Sequence, residues 1–261
     1  MNDALKKRYS DSFETGAFFS YYWYQLRRLA TPAGPLTVCA VYAFVILFMR
    51  YHYKSFQTGL FGAQAGLAES VALEGLWFTL IPSLTILGLT ILPRRVPSLR
   101  RVFTRRRFRD FGFRLGAAVG WRDAMIFFLL MLPFLILVVS RKDFASAYPL
   151  YQLARTSLFV FLVWQAAHLL YMFGWELLNR GFLLFGLEEK MGRWAILATA
   201  IPFAILHIGK PELETYGSFV AAIALGWVAL RARSFVPGAM LHWLVSVTLD
   251  AFSIIRAGGF D

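Results

Sequence analysis

The sequence predicts an all-α, polytopic transmembrane helical bundle of about seven spans, with six to eight as the range, and three observations carry that reading. First, 58% of its 261 residues are hydrophobic and only 16% are charged, whereas a soluble domain carries about a quarter charged residues. Second, the apolar residues form long continuous runs instead of alternating with polar ones, which favours helices over barrel strands. Third, the basic residues gather in clusters between the runs, as the positive-inside rule expects of cytoplasmic loops.

The apolar runs cover roughly residues 34–49, 71–92, 123–140, 152–187, 194–208, 216–230 and 235–255. The run 152–187 exceeds the roughly 20 residues that one perpendicular helix needs, so it must tilt, protrude or bend, and Gly174 is the expected bend point. Residues 1–33 read as a cytoplasmic, interfacial N-terminal segment, because FFSYYWYQLRRL (residues 18–29) sets aromatics beside Arg27 and Arg28. Residues 34–261 read as one membrane domain. Lys6, Lys7 and Arg8 are followed by a polar stretch instead of an apolar core, which is not the layout of a cleaved signal peptide. Cys39 is the single cysteine, so no internal disulfide is possible.

The formal net charge of +12 is concentrated in ten arginines between Pro93 and Arg122, against Asp110 alone. Lying between two spans, this 93–122 segment reads as a cytoplasmic loop facing acidic lipids instead of nucleic acid. A seven-span path puts the N-terminal cluster, the 93–122 loop, Lys190 with Arg193, and Arg231 with Arg233 all on that side. No Gly-rich phosphate loop and no cysteine-based metal site is present, so no cofactor is expected.

Ionisable residues inside spans are costly and mark functional positions by default. Four stand out: Glu176 and Arg180 in GWELLNRGF, His207 in FAILHIGK and His242 in GAMLHWLVS. Glu176 with Arg180, Phe203 with His207, and His242 with Ser246 are all spaced i,i+4, so each pair shares one helix face. At 1.5 Å per residue, Glu176, His207 and His242 lie roughly 16, 21 and 12 Å from the cytoplasmic ends of their spans, which allows a common site. His168 lies on nearly the same face as Trp175 and reads as a helix-packing residue or a further member of the site. Asp123 and Arg122 read as interfacial, and His52 as a loop residue.

The motifs WELLNR (175–180), FAILH (203–207) and HWLVS (242–246) resemble, in order and spacing, the EExxxR, FxxxH and HxxxN motifs of the CPBP or Abi family of CAAX-processing and bacteriocin-processing intramembrane proteases. The resemblance extends through RGFLLFGL and GWVALRARSFVPGAMLH and covers about residues 121–250. It implies an intramembrane endopeptidase acting on a membrane-presented peptide or protein: Glu176 and His207 activate a water, Arg180 fixes Glu176, and His242 with Ser246 stabilises the oxyanion. Two positions depart from the family pattern, Trp175 for the first glutamate and Ser246 for the asparagine. Glu212 and Glu214 in GKPELE are possible replacement carboxylates, or else part of a solvated loop before a helix started by Pro211. Three other readings stay open at this level. Glu176, His207 and His242 form a zinc ligand set; the network is a non-catalytic scaffold or chaperone that keeps the protease fold; or the residues relay protons in a transporter, although no inverted repeat is present.

Overall fold

The computed structural model describes residues 38–48, 67–95 and 107–260. The N-terminal segment 1–33, His52 and residues 96–106 of the arginine-rich loop lie outside the described residues. Where described, the predicted apolar runs are mostly helical. Its elements are α1 (Val38–Phe48), α2 (Leu67–Arg95), α3 (Ala118–Val138), short α4 (Lys142–Ala147), α5 (Leu158–Glu176), a π-helical segment (Leu177–Leu184), α6 (Phe185–Met191), α7 (Ala195–Ile205), α8 (Glu212–Ala232) and α9 (Val236–Arg256). Among the described residues, five stretches are long and apolar enough to cross a bilayer: Val71–Gly88, Ala118–Val138, Leu158–Ile205, Glu212–Ala232 and Val236–Arg256. The protein is an integral membrane helical bundle.

The run expected over 152–187 begins later than its hydropathy suggests. Residues Gln152–Arg155 form a separate 3-10 turn. The helix starts at Leu158, where the Ser157 hydroxyl oxygen accepts from the Val160 N–H at 3.3 Å and satisfies one of the free donors of the first turn. From there α5, the π segment and α6 run on to Met191. Gly192, at φ +55°, ends the run, and α7 packs back against the π segment. With 11 residues, α7 is about 16 Å long, so the predicted run 194–208 is a short arm with His207 just past its end.

Gly174 is not a bend. The α-helix continues through it to Glu176, and the deformation falls in the π segment that follows. Its role is close approach. A Cβ on Gly174 would lie 2.4 Å from the Gly75 carbonyl oxygen of α2, and one on Gly75 would lie 2.5 Å from the Tyr171 nitrogen of α5. Small residues let membrane helices meet backbone to backbone, and this contact joins α2 to α5 one turn before the candidate site. Residues 174–187 are all buried, so α5, the π segment and α6 form the core strut around which the other helices pack.

The segment 107–117 is tied to the α8–α9 turn. Ala117 N–H donates to Ala232 O at 2.9 Å, Arg114 Nε donates to Arg233 O at 2.6 Å, and the Ser234 hydroxyl donates to Arg114 O. Arg233, at φ +53°, turns the chain and pairs with Glu188. Asp123 is tied into the bundle near the start of α3. Because α3 begins at Ala118, Asp123 sits in its second turn, buried, accepting from Arg231 Nε at 2.9 Å and Trp227 Nε1 at 3.3 Å.

Because backbone atoms, not a flexible side chain, stand within 2.5 Å of the missing Cβ, Gly174→Ala should destabilise the protein by about 1–3 kcal/mol through overpacking. Thermal unfolding in detergent should show a lowered midpoint, with Gly88→Ala, whose Cβ meets nothing within 4 Å, as the unperturbed control.

Candidate active site

Glu176 is the last residue of α5 before the π segment and is completely buried. A buried carboxylate is tolerated only when it is paired and hydrogen-bonded. Here Oε1 accepts from Arg180 Nη1 at 2.9 Å and from His242 Nδ1 at 2.8 Å. The first contact is the i,i+4 pair read from the sequence. The second joins α5 to α9. Arg180 Nη2 lies 3.4 Å from the Ala222 carbonyl of α8, and its guanidinium stacks 4.2 Å from the Phe203 ring centroid.

Phe203 is the floor of the site. Besides Arg180 it meets His207 at 4.7 Å, His242 at 5.8 Å and Trp175 at 6.1 Å between ring centroids. Residues from α5, the π segment, α7 and α9 therefore meet over one ring. His207 Nδ1 lies 2.8 Å from the Phe203 carbonyl, which must accept, so Nδ1 carries the proton and Nε2 keeps its lone pair. The His207 carbonyl in turn accepts from the Thr215 hydroxyl of α8 at 2.8 Å.

The environments of Glu176 and His242 differ in the way a functional pair requires. The Glu176 side chain is 0% exposed and the His242 side chain 18%. A carboxylate bonded to Nδ1–H fixes the imidazole tautomer and leaves Nε2 as the reactive nitrogen. Glu176 Oε2 and Arg180 Nε are buried with no hydrogen-bond partner among the described residues. Unsatisfied buried polar atoms are rare in native folds and concentrate where function keeps them.

Trp175, at the first-glutamate position, is buried and packed edge-on to Phe78 at 5.2 Å and stacked on Tyr171 at 6.0 Å. Asn179 does not bring its amide to the site. It donates to the Trp175 carbonyl at 2.8 Å and accepts from the Tyr42 hydroxyl of α1 at 2.8 Å. Glu212 and Glu214 belong to the first turn of α8, capped by Pro211. Glu214 is paired with Lys210 at 2.7 Å and accepts from the Tyr148 hydroxyl at 2.6 Å, so it stays away from Glu176. Burial, with Glu214 beside it, pushes that Tyr148 hydroxyl well above its ordinary value, which keeps it a donor. Ser246 faces His168, with its Oγ 3.5 Å from Nδ1. Among the described residues no group of three His, Cys, Asp or Glu side chains is arranged to hold a metal ion.

Residues 155–248 match the family model Rce1-like, described as type II CAAX prenyl endopeptidase Rce1-like. The resemblance to CAAX-processing intramembrane proteases is thus borne out, and the Rce1-like stretch spans all three motifs, from the turn before α5 to the middle of α9. The family is one of proteases. No curated protein and no solved structure gives a match to the chain.

Just beyond the Rce1-like stretch lies a residue that spacing alone could have marked. Asp250 follows His242 and Ser246 at the same i,i+4 interval. Fully buried, it accepts from Trp164 Nε1 at 2.8 Å, Gln165 Nε2 at 2.9 Å and the Leu150 N–H at 3.0 Å. It locks α9 to α5 and to the α4–α5 connection. Asp250→Ala leaves two buried donors, on Trp164 and Gln165, unpaired, each costing about 1–3 kcal/mol, together with the part-buried Leu150 N–H. Its thermal midpoint in detergent should fall further than that of Asp143→Ala, which removes an exposed pair with Arg141 and local backbone bonds at the start of α4.

Proposed function

We propose that the protein is an intramembrane endopeptidase that hydrolyses a membrane-presented peptide or protein with a water activated by the Glu176–His242 pair. The observation that carries this reading is the 2.8 Å contact between His242 Nδ1 and the wholly buried Glu176 carboxylate. Arg180 fixes Glu176, and Glu176, bonded to Nδ1 of the partly exposed His242, leaves its Nε2 as the base. Nε2 takes a proton from the water, and the water oxygen attacks the scissile carbonyl carbon. The carbonyl oxygen becomes an oxyanion, for which the Ser246 hydroxyl is the candidate donor. As the C–N bond breaks, His242 returns the proton to the leaving amine nitrogen.

This division of roles differs from the one the family resemblance implies, where His242 serves the oxyanion and a glutamate is the base. It suits a chain with Trp175 at the first-glutamate position, because the remaining carboxylate is already committed to Arg180 and His242. His207, with Nε2 unprotonated and its ring against Phe203, is assigned to the same water. The family description points to a prenylated C-terminal peptide as substrate, with a leader peptide or a membrane protein as the other candidates. The contacts of Arg114 with Arg233, Arg231 with Asp123 and Arg233 with Glu188 gather basic residues at one end of the bundle, which supports reading that end as the cytoplasmic, acidic-lipid face.

One observation favours a second reading, a scaffold or chaperone without catalysis: Trp175 is packed among Phe78, Tyr171 and Phe203 where the family carries a carboxylate. Kinetics of purified protein in lipid vesicles with a farnesylated CaaX peptide separate the two. Glu176→Gln should lower kcat on the order of 10⁴-fold, as expected for a histidine held in the wrong tautomer, and His242→Gln should abolish turnover. Chelator should leave the wild-type rate unchanged. Full activity in Glu176→Gln would count against the pair as the catalytic device; no cleavage by wild type, with partner binding intact, would favour the scaffold.

A further inference from the structure

Ser246 stands where the resembled family carries asparagine, and its hydroxyl, like that of Ser253, reaches across to another segment instead of bonding back to its own helix. Thr79, Thr85 and Thr248 each donate to the carbonyl four residues earlier, at 2.8, 2.8 and 2.7 Å. That is the usual resting place of a hydroxyl within a helix. Ser246 instead meets His168 Nδ1 across the α5–α9 interface at 3.5 Å, and both residues are buried. His168 precedes Glu176 by two helical turns and Ser246 follows His242 by one, so this contact is the next rung above the Glu176–His242 pair along the same interface. The His168 ring is flanked by Trp164 at 5.2 Å and Tyr171 at 6.0 Å, which limits its rotation.

The chemistry of the two side chains explains what such a rung would do. An asparagine NH₂ only donates, so it serves an oxyanion without assistance. A serine hydroxyl has one hydrogen and two lone pairs and can spend that hydrogen on any nearby acceptor. If Oγ accepts from an imidazole N–H, its own hydrogen is left for the substrate.

We propose that His168 is a positioning residue whose Nδ1–H donates to Ser246 Oγ and so directs the Ser246 hydroxyl hydrogen to the oxyanion of the scissile carbonyl. The proposal rests on the hydrolytic reading above. Hydrogen bonds of this kind are commonly long before substrate binds and tighten in the reacting complex, which fits the 3.5 Å separation. In this chain the His168–Ser246 pair does the work of one amide.

The test combines kinetics with ¹⁵N-histidine NMR on the full chain in lipid. With a farnesylated CaaX peptide, His168→Phe should lower kcat by about tenfold to a hundredfold, within the range seen when an oxyanion donor is weakened, and leave KM unchanged. His168→Asn, whose amide lies near the lost Nδ1, should retain most of the rate. In a Ser246→Asn background His168→Phe should cost little, because the new amide needs no orienting partner; a merely structural role would give the same loss in both backgrounds. The NMR spectrum should show His168 protonated at Nδ1, with that resonance moving in Ser246→Ala. Unchanged kcat in His168→Phe, an undiminished loss in the Ser246→Asn background, or a bare Nδ1 would each overturn the proposal. Absence of cleavage by wild type would strike the hydrolytic reading, and the NMR result would still decide which nitrogen of His168 holds the proton.

Discussion

A charged carboxylate with no solvent exposure needs partners, and Glu176 finds both of its partners on one oxygen. Arg180 comes from the π segment and His242 from α9, so the position of Oε1 fixes the distance between those elements. Removing Arg180 leaves the buried charge uncompensated, a loss that usually exceeds the net worth of the pair itself, and removing His242 takes away a hydrogen bond that the carboxylate needs. This asymmetry makes Glu176 a constraint on assembly as well as a candidate participant in chemistry. Arg180 extends the constraint to α8 through the Ala222 carbonyl and to α7 through the face of Phe203.

The surrounding scaffold is arranged to deliver those groups. Gly75 and Gly174 bring α2 and α5 into backbone contact just before Glu176. The π segment then begins at Leu177, and local departures from α geometry recur at functional sites because they re-aim side chains without ending the helix. Tyr42 secures the π segment to α1 through Asn179. Phe203 supplies an apolar floor that meets the guanidinium and both imidazoles, so the polar groups sit in a low-dielectric setting where each hydrogen bond counts for more. On the far side of His242, Ser246 and Asp250 continue one helical face, with Asp250 anchoring α9 to Trp164 and Gln165.

Much of this was legible in the sequence because membrane burial leaves few polar residues to choose among. The helical class, the apolar runs and the Glu176–Arg180 contact all follow from continuous hydrophobicity and from i,i+4 geometry. What spacing does not reveal is which faces meet. The link from His242 to Glu176 joins residues 66 positions apart, and helix periodicity is silent on that pairing. Gly174 shows a second limit: a glycine in a membrane helix suits a bend or a close contact equally, and only the presence of Gly75 opposite decides. The π segment has no compositional signature, since it differs from an α-helix by the register of its backbone bonds. The short α7 reads like a full span by hydropathy, and its length is set by Gly192 and by the turn after His207. Asp250 is different, for it lies on the same i,i+4 series as His242 and Ser246 and the pattern needed only one more turn.

The claim on which the account turns is that a peptide is cut over Phe203, between His242 and Ser246. A high-resolution structure of the protein in lipid with a farnesylated peptide carrying a reduced, uncleavable amide tests it most directly. The carbon that replaces the scissile carbonyl is expected over the Phe203 ring, in contact with the oxygen of a water held by His242 Nε2 and beside the Ser246 hydroxyl. A peptide bound elsewhere, with His242 Nε2 sealed from both water and substrate, would contradict it.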